Sequence, residues 1–405
     1  MGTQLAQTQI DLLKILACSI KNQKYDSDEI VDYSALYNES MAQTVFLQTI
    51  SALDLDKISD IDIRKNFSIA ALRQMGHNLK IHAQHGYVHK VLHDNNIDHC
   101  ILKGSASAYF YPRPLLRMMG DVDFLVRKSD VQRVENLFKQ DGFVPLKEHH
   151  ICHIVLQKEK IHLEMHFAPA GMPDGKNGEL ICGYLADIFD KAELVQVEGA
   201  TFRRPSLFHH GLILLMHMYH HLLAEGIGLR HVCDWALWIN SVDEKFIEQE
   251  FREKLLKCGL WEFARILSCL SLRYLDIPFR NWMGEINDKL LDDLMLDIFH
   301  GGNFGCLNSE REKQGWAISS RGKNGIAKNN FSQLFHTANS ITENKFPILF
   351  MIPILRYCGT LLLISRYFFK VMAGKRENIN LPRLLSDAKK RKYLYKKFHL
   401  FETEN

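Results

Sequence analysis

Two aspartates have the spacing of a divalent-metal site. Asp121 and Asp123 lie in the segment GDVDFLV, residues 120–126, in which every second side chain is apolar. Residues two apart on a β-strand face the same side, so the two carboxylates project together. Because neighbouring carboxylates repel each other, a cation between them is stabilising, and Mg²⁺ prefers such oxygen ligands. Two ions held in this way can clamp the attacking and leaving oxygens of a phosphoryl displacement.

A third carboxylate lies on a later alternating segment, IHLEMHF, residues 161–167. Its apolar residues form one face of the expected strand, whereas His162, Glu164 and His166 form the other. If this strand lies beside the strand that carries the aspartates, Glu164 completes a site of three carboxylates. Glu164 would then help to hold the metal that activates an acceptor hydroxyl.

The segment LKGS, residues 102–105, predicts a phosphate-binding turn. A strand ends here, Gly104 follows, and a helix begins, so backbone N–H groups at the helix start can bind phosphate oxygens. Ser105 adds a hydroxyl donor and Lys103 a positive charge. Arg113 and Arg117, shortly before the aspartates, can neutralise further phosphate charge.

Hydrophobic periodicity divides the chain into three expected regions. Residues 1–95 have a helical pattern, which is clearest from Asp60 to His93. Residues 96–204 alternate between short strands and helices, and residues 205–405 are mainly helical again. The expected fold class is therefore α+β, with a mixed sheet flanked by N-terminal and C-terminal helical regions.

The middle region should contain the elements that position the acidic residues. They are strands at 99–102, 121–126, 152–157 and 160–167, helical turns at 104–110, and a helix from Ser129 to Gln140 that ends at Gly142. The last two strands form a hairpin through Lys158 and Glu159. Ser206 is the expected N-cap of a helix that runs to Ala224. The segment GGNFG, residues 301–305, opens a stretch that reads as a long loop to about residue 330.

The run LKGSASAYFYPRPLLRMMGDVDFLV resembles the bacterial uncharacterised nucleotidyltransferase family, which is part of the DNA polymerase β-like nucleotidyltransferase superfamily. HLEMHF occupies the place of that family's ELHW-like strand, and GIGLRHVCDWALWI and GGNFG also look like features of the group. The motif resemblance covers residues 98 to 240. It implies a mixed-sheet palm fold, an NTP as donor and Mg²⁺ as cofactor, with two ions bound.

Together, these observations predict a magnesium-dependent enzyme that transfers a nucleoside monophosphate from an NTP, taken to be ATP, to a hydroxyl-type acceptor and releases pyrophosphate. The alternative is a non-catalytic module that binds a nucleotide or a partner, peripheral to a membrane. The sequence identifies neither the acceptor nor the oligomeric state. The expected catalytic and metal-binding residues are Asp121, Asp123 and Glu164, and the expected nucleotide-binding residues are Lys103, Gly104, Ser105, Arg117 and Arg230.

Arg230 allows two interpretations. It lies one helical turn before Asp234, so the two side chains can form a local ion pair. Alternatively, this helix lines the cleft and Arg230 reaches the nucleotide or the acceptor.

His217 and His221 are one helical turn apart but lack the glutamate that a zinc protease needs inside such a pair, so they are a weak candidate for zinc and read as satisfied or substrate-facing side chains. His149, His150 and His153 form another weak zinc candidate, with contact to substrate phosphate as the alternative.

Composition and charge narrow the environment in which the protein is expected. The chain has 405 residues, a net charge of +3 and nine cysteines without a CxxC pair. The spacing of the cysteines favours reduced thiols in a cytoplasm, and the first residues do not have the pattern of a secretory signal. The small net charge argues against nucleic acid as a partner.

Two C-terminal segments raise the question of membrane contact. Phe346 to Lys370 is apolar, but Arg356 divides it into runs too short to span a bilayer, so it reads as a core helix with a kink at Pro353. Lys375 to Lys397 contains nine basic and two acidic residues interleaved with aromatic ones. It reads as a solvated helix or, alternatively, as a surface for anionic lipid or RNA.

Overall fold

The computed structural model describes residues 4–26, 32–146, 152–169, 171–173, 175–318, 365 and 381–402. Four helices precede the sheet: α1 (Gln7–Ile20), α2 (Tyr33–Ala42), α3 (Phe46–Ala52) and α4 (Ile61–Asp94). Asp60 is the N-cap of helix α4, and its side chain accepts hydrogen bonds from the N–H groups of Asp62 and Ile63. The predicted long helix of this region is therefore confirmed.

Five strands form the central sheet, in the order β1-β2-β5-β4-β3. They are β1 (His99–Ile101), β2 (Val122–Val126), β3 (Val144–Pro145), β4 (His153–Lys158) and β5 (Ile161–His166). Strands β2 and β5 are parallel neighbours, whereas all other pairs are antiparallel. The sheet is mixed, as predicted, and β4 and β5 form the predicted hairpin.

The apolar residues of β2 and β5 face a hydrophobic core on one side of the sheet. Val122, Phe124, Leu163 and Met165 are each fully buried there. This side is covered by α4, by helix α6 (Val131–Gln140) and by a second, two-stranded sheet of β6 (Glu193–Val197) and β7 (Ala200–Arg204). The polar residues of the two strands therefore share the opposite side, which is the arrangement that the alternating pattern predicted.

Helix α6 begins one residue later than the predicted cap would place it. Ser129 lies inside a 3₁₀ turn, Lys128–Asp130, and Asp130 is the residue before the first helical position, without a side-chain cap. The prediction of Ser129 as the cap is therefore wrong, because the tight turn occupies that position. Gly142 does follow the helix end, with φ of +87°, a conformation that favours glycine.

Besides α1 to α4 and α6, the described residues form ten further helices, several of which share a core with Cys100 and Leu125 of the sheet. They are α5 (Gly104–Ala108), α7 (Lys176–Tyr184), α8 (Leu207–Leu223), α9 (Leu229–Ser241), α10 (Glu244–Phe246), α11 (Arg252–Cys258), α12 (Trp261–Leu275), α13 (Asp288–Gly301), α14 (Arg311–Ile318) and α15 (Leu381–Lys396). Ser206 caps α8 as predicted, since its side chain accepts the N–H of His209. The N-terminal and C-terminal helices contribute to one shared core. The three-part division of the chain stays a prediction.

The stretch after GGNFG is not one continuous loop. A 3₁₀ turn covers Asn303–Gly305, and α14 follows at Arg311. The prediction of a loop to residue 330 is therefore wrong up to Ile318, and its remainder lies outside the described residues. The apolar segment from Phe346 to Lys370 also lies outside the described residues, apart from Ser365. No helix in the described part of the chain has the length and apolarity needed to cross a bilayer.

A buried charged cluster connects α13, α14 and α15. Arg311 donates hydrogen bonds to both carboxylate oxygens of Asp297, at 3.0 and 2.8 Å, and Tyr395 donates to the same carboxylate at 2.6 Å. Arg391 donates to the carbonyl oxygens of Leu222 and Ala224 at 3.1 Å. The structure thus corrects the interpretation of the basic C-terminal helix as a solvated element, because α15 buries Arg391 and Tyr395. Membrane contact of this helix stays a prediction.

Replacing Asp297 with Ala should destabilise the protein strongly. The substitution leaves the buried guanidinium of Arg311 without its counter-charge, which typically costs about 3–5 kcal/mol. The matched control is Asp292→Ala on the same helix, where a half-exposed carboxylate pairs with Arg273 and the expected loss is about 0–1 kcal/mol. Urea unfolding of the full chain measures both, and equal losses for the two variants would contradict this account of the cluster.

Candidate active site

The structure brings the predicted acidic residues together at the β2–β5 pair. Asp123 and Glu164 are directly opposite each other in the parallel register of the two strands. Asp121 lies two residues before Asp123, immediately ahead of β2, and is exposed. Asp123 itself is buried, and the side chain of Glu164 is one-quarter exposed. The carboxylates therefore line a boundary between the sheet interior and solvent.

One carboxylate oxygen of Asp123 contacts two side-chain nitrogens. The Nζ of Lys103 lies 2.8 Å from its Oδ1, and the Nε2 of His166 lies 2.9 Å from the same atom. The Nε2 of His166 is also 3.5 Å from an oxygen of Glu164. Ligand atoms of Asp123, Glu164 and His166 all lie within 4.8 Å of one another, which is close enough for them to share a metal ion.

The pKa values of Asp123 and His166 are both shifted by their surroundings. Burial alone would raise the pKa of Asp123, but the charge of Lys103 and the hydrogen bond from His166 outweigh burial and hold it well below its usual range. Burial would likewise lower the pKa of His166, yet its hydrogen bond to Asp123, followed by the proximity of Cys152 and Glu164, raises this pKa to about 10. His166 is a site residue that the sequence analysis left without a role, although it shares a strand face with Glu164.

Asp121 has the opposite electrostatic environment. Its pKa is raised, first by partial loss of hydration and then by the negative charges of Glu164 and Asp123. The charge of Lys103 offsets only part of this repulsion. A cation placed among the three carboxylates would relieve it, and hard oxygen donors are the ligands that Mg²⁺ prefers.

The turn at residues 103 and 104 directs Lys103 toward the carboxylates. Lys103 has φ of +47° and Gly104 has φ of +35°. Residues other than glycine rarely adopt this backbone region. A Cβ on Gly104 would lie 2.7 Å from the Cε1 of His85. Glycine is therefore required at residue 104 by both backbone conformation and space.

Ser105 lies deeper than its predicted role requires. Its side chain is fully buried, and its hydroxyl lies 2.8 Å from the Nδ1 of both His82 and His85 on α4. The hydroxyl can donate to one ring and accept from the other, so these contacts use its bonding capacity. The predicted binding of phosphate by this hydroxyl stays a prediction. Nothing in the sequence distinguished His82 and His85 among twenty histidines.

Arg117 and Asp234 form a buried ion pair that the sequence analysis missed. The Nε and Nη2 of Arg117 donate to the two carboxylate oxygens of Asp234, each at 2.7 Å, and Tyr111 donates to Oδ1 at 2.7 Å. These bonds hold the guanidinium against α9. The hydrogen-bonded partner of Asp234 is thus Arg117 rather than the neighbouring Arg230, since the carboxylate turns inward from its own helix.

Arg230 lies at the edge of the site. Its Nη1 donates to the carbonyl oxygen of Met118 at 3.2 Å, and its guanidinium carbon is 5.7 Å from the ring centre of Phe304. Burial and the charge of Arg117 lower its pKa to about 10, and Asp121 is among the groups that oppose this shift. Phe304 also contacts the rings of His217 and His221. Phe304 of the GGNFG segment therefore packs beside Arg230 and the two histidines.

Comparison with known proteins identifies the family of this chain. The family model described as "Uncharacterised nucleotidyltransferase" matches residues 29–276, which is more than half of the chain and includes the sheet, the three carboxylates and Arg230. A search of the curated proteins found no match. The match confirms the predicted family and is consistent with the α+β palm fold described above. With its acidic strand pair inside the matched range, this chain belongs to the uncharacterised nucleotidyltransferase family.

Proposed function

We propose that this protein is a magnesium-dependent nucleotidyltransferase that transfers the nucleoside monophosphate of an NTP, ATP as the first choice, to a hydroxyl group and releases pyrophosphate. The observation that carries the proposal is the register of β2 and β5, which places Asp123 directly opposite Glu164. Asp121 adds a third carboxylate to the same group. Membership in a nucleotidyltransferase family supports the reaction class.

The residues present fit magnesium. Asp121, Asp123 and Glu164 offer only carboxylate oxygens, the donors that suit Mg²⁺. Bound there, two such ions would polarise the α-phosphate and make the acceptor hydroxyl more acidic. In the proposal Asp121 and Asp123 bind both ions, and Glu164 binds the one on the acceptor side.

The transfer exchanges one oxygen for another at the α-phosphorus. The acceptor oxygen forms a bond to this phosphorus, and the bond between the phosphorus and the oxygen that bridges to the β-phosphate breaks. Pyrophosphate leaves with that electron pair, and the hydroxyl proton passes to solvent. Lys103 and Arg230 are the cations that would neutralise the triphosphate and hold it in line with the acceptor.

One observation favours a second candidate, a module that binds a nucleotide without catalysis. The Oδ1 of Asp123 already accepts bonds from Lys103 and His166, so Lys103 competes with a metal ion for this carboxylate. Catalysis requires Lys103 to exchange Asp123 for the triphosphate. Mg²⁺-dependent binding of ATP without release of pyrophosphate would identify the second candidate.

Loss of the aspartate pair should abolish transfer. With α-labelled NTPs, Mg²⁺ and host cell extract, the intact protein is expected to label an acceptor, and Asp121→Ala/Asp123→Ala should reduce labelling by at least about 100-fold, because metal stabilisation of the transition state amounts to several kcal/mol. Asp98→Ala, at an exposed carboxylate near the start of β1, is the control and should label normally. Equal labelling by the double variant and the intact protein would remove the proposed site.

Replacing Lys103 with Gln should separate nucleotide binding from metal binding. Loss of the charged donor should weaken ATP binding by about tenfold, whereas Mg²⁺ should bind the nucleotide-free variant more tightly because its competitor for Asp123 is gone. Calorimetric titration with each ligand measures the two effects separately. Weaker Mg²⁺ binding in Lys103→Gln would show that Lys103 does not compete for the site.

Replacing Ser105 with Ala tests whether its hydroxyl binds the core or the substrate. The contacts with His82 and His85 predict a loss of about 1–3 kcal/mol in unfolding free energy, because a buried ring nitrogen loses its partner. The KM for ATP should then change less than in Lys103→Gln. An unchanged stability together with a strongly raised KM would contradict a purely structural role and support phosphate binding by this hydroxyl.

A further inference from the structure

A second group of ligand-type side chains adjoins the carboxylates. Cys152, His153 and His166 place a sulfur and two ring nitrogens within 4.8 Å of one another. The Sγ of Cys152 lies 3.5 Å from the Nδ1 of His153, and the ring centres of His153 and His166 are 4.9 Å apart. Cys152 and His153 lie at the start of β4, and His166 lies at the end of β5. The antiparallel pairing of these strands places His153 opposite His166.

His166 shows the bonding expected of a histidine ligand. Its Nε2 is engaged with Asp123 at 2.9 Å, whereas its Nδ1 is buried and has no hydrogen-bond partner among the residues that the structure describes. The residue as a whole is 3% exposed. Histidines that bind metals usually bond a carboxylate through the second ring nitrogen, which fixes the orientation of the ring. Asp123 and His166 have this arrangement, and Nδ1 is the nitrogen left for a metal.

We propose that Cys152, His153 and His166 form a zinc site, with the fourth position taken by a water molecule. One thiolate and two imidazoles are donors that suit Zn²⁺, whereas the oxygen ligands of the neighbouring carboxylates suit Mg²⁺. Donor chemistry thus separates two metal sites that meet at His166. Metal binding needs the thiolate of Cys152 and a ring nitrogen of His166 that carries no proton. The Nδ1 proton of His166, and any proton still on the Cys152 sulfur, therefore pass to solvent when the metal binds.

The backbone around this zinc site is already held in place. The carbonyl oxygen of Cys152 accepts hydrogen bonds from the N–H groups of Phe167 and Ala168, at 2.9 and 3.4 Å. These bonds fix the start of β4 against the end of β5. Cys152 and His153 therefore lie close to His166 without any rearrangement of the chain. Zinc would add a cross-link at this end of the hairpin and fix the imidazole that holds Asp123. His166 is therefore a positioning residue for the carboxylate site.

Cobalt binding tests the proposal without reference to enzyme activity. The full chain, reduced and stripped of metal, is titrated with Co²⁺ in excess Mg²⁺, which saturates the carboxylates. One equivalent of Co²⁺ should give the charge-transfer absorption of a cobalt–thiolate bond, and Zn²⁺ should displace it. Cys152→Ser should abolish this absorption, whereas Cys182→Ser, at an exposed thiol, and Asp121→Asn should retain it.

Two further variants keep the test decisive if Cys152→Ser folds poorly. His153→Ala should retain the thiolate band but weaken zinc binding by at least about 10–100-fold, and Asp123→Ala should weaken it by a similar factor through loss of the ring orientation. The proposal is overturned if no thiolate band forms, if the band is unchanged in Cys152→Ser, if His153→Ala binds zinc as tightly as the intact protein, or if the band disappears in Asp121→Asn. None of these outcomes depends on nucleotidyl transfer, so the proposed function can fail independently.

Discussion

Asp123 carries a negative charge inside the protein, and burial of a charge is costly unless hydrogen bonds or counter-charges compensate it. Lys103 and His166 provide this compensation on a single oxygen, at 2.8 and 2.9 Å. Lys103 reaches Asp123 from the turn that follows β1, and His166 reaches it from the end of β5. The three strands at this side of the sheet are thus connected by one carboxylate as well as by their backbone ladder.

This interaction also determines how the site would respond to ligands. A metal ion and Lys103 are alternative partners of the Asp123 oxygen, and a triphosphate is an alternative partner of Lys103. Binding of a metal–nucleotide complex would satisfy all three groups together, whereas either ligand alone leaves a charge without its partner. Asp121, which repels Glu164 and Asp123, adds to the preference for a cation. The arrangement favours cooperative binding of metal and nucleotide.

The alternation of apolar and polar residues along the strands predicted most of what the sequence could show about the candidate site. The period of two in β2 and β5 placed Asp121 and Asp123 on one strand face and Glu164 on another, whereas the adjacency of the two strands was a condition that only the structure supplied. Local patterns did not reveal long-range polar pairs such as Arg117 with Asp234, which are 117 residues apart. The buried position of Ser105 depends on α4, a distant helix that delivers His82 and His85. The burial of α15 depends likewise on distant partners, because Arg391 donates to the carbonyl oxygens of Leu222 and Ala224 and Tyr395 donates to Asp297, 98 residues earlier.

Binding of Mn²⁺, which accepts the same oxygen ligands as Mg²⁺ and can be followed by electron paramagnetic resonance, tests the central claim most directly. Glu164→Gln keeps the size of the side chain but removes the charge opposite Asp123, and Glu179→Gln on the exposed side of α7 is its matched control. In the presence of ATP, Glu164→Gln should weaken Mn²⁺ binding by about tenfold or more, whereas Glu179→Gln should bind as the intact protein does. Equal Mn²⁺ affinity in all three proteins would contradict the account, because the β2–β5 carboxylates would then not hold the metal.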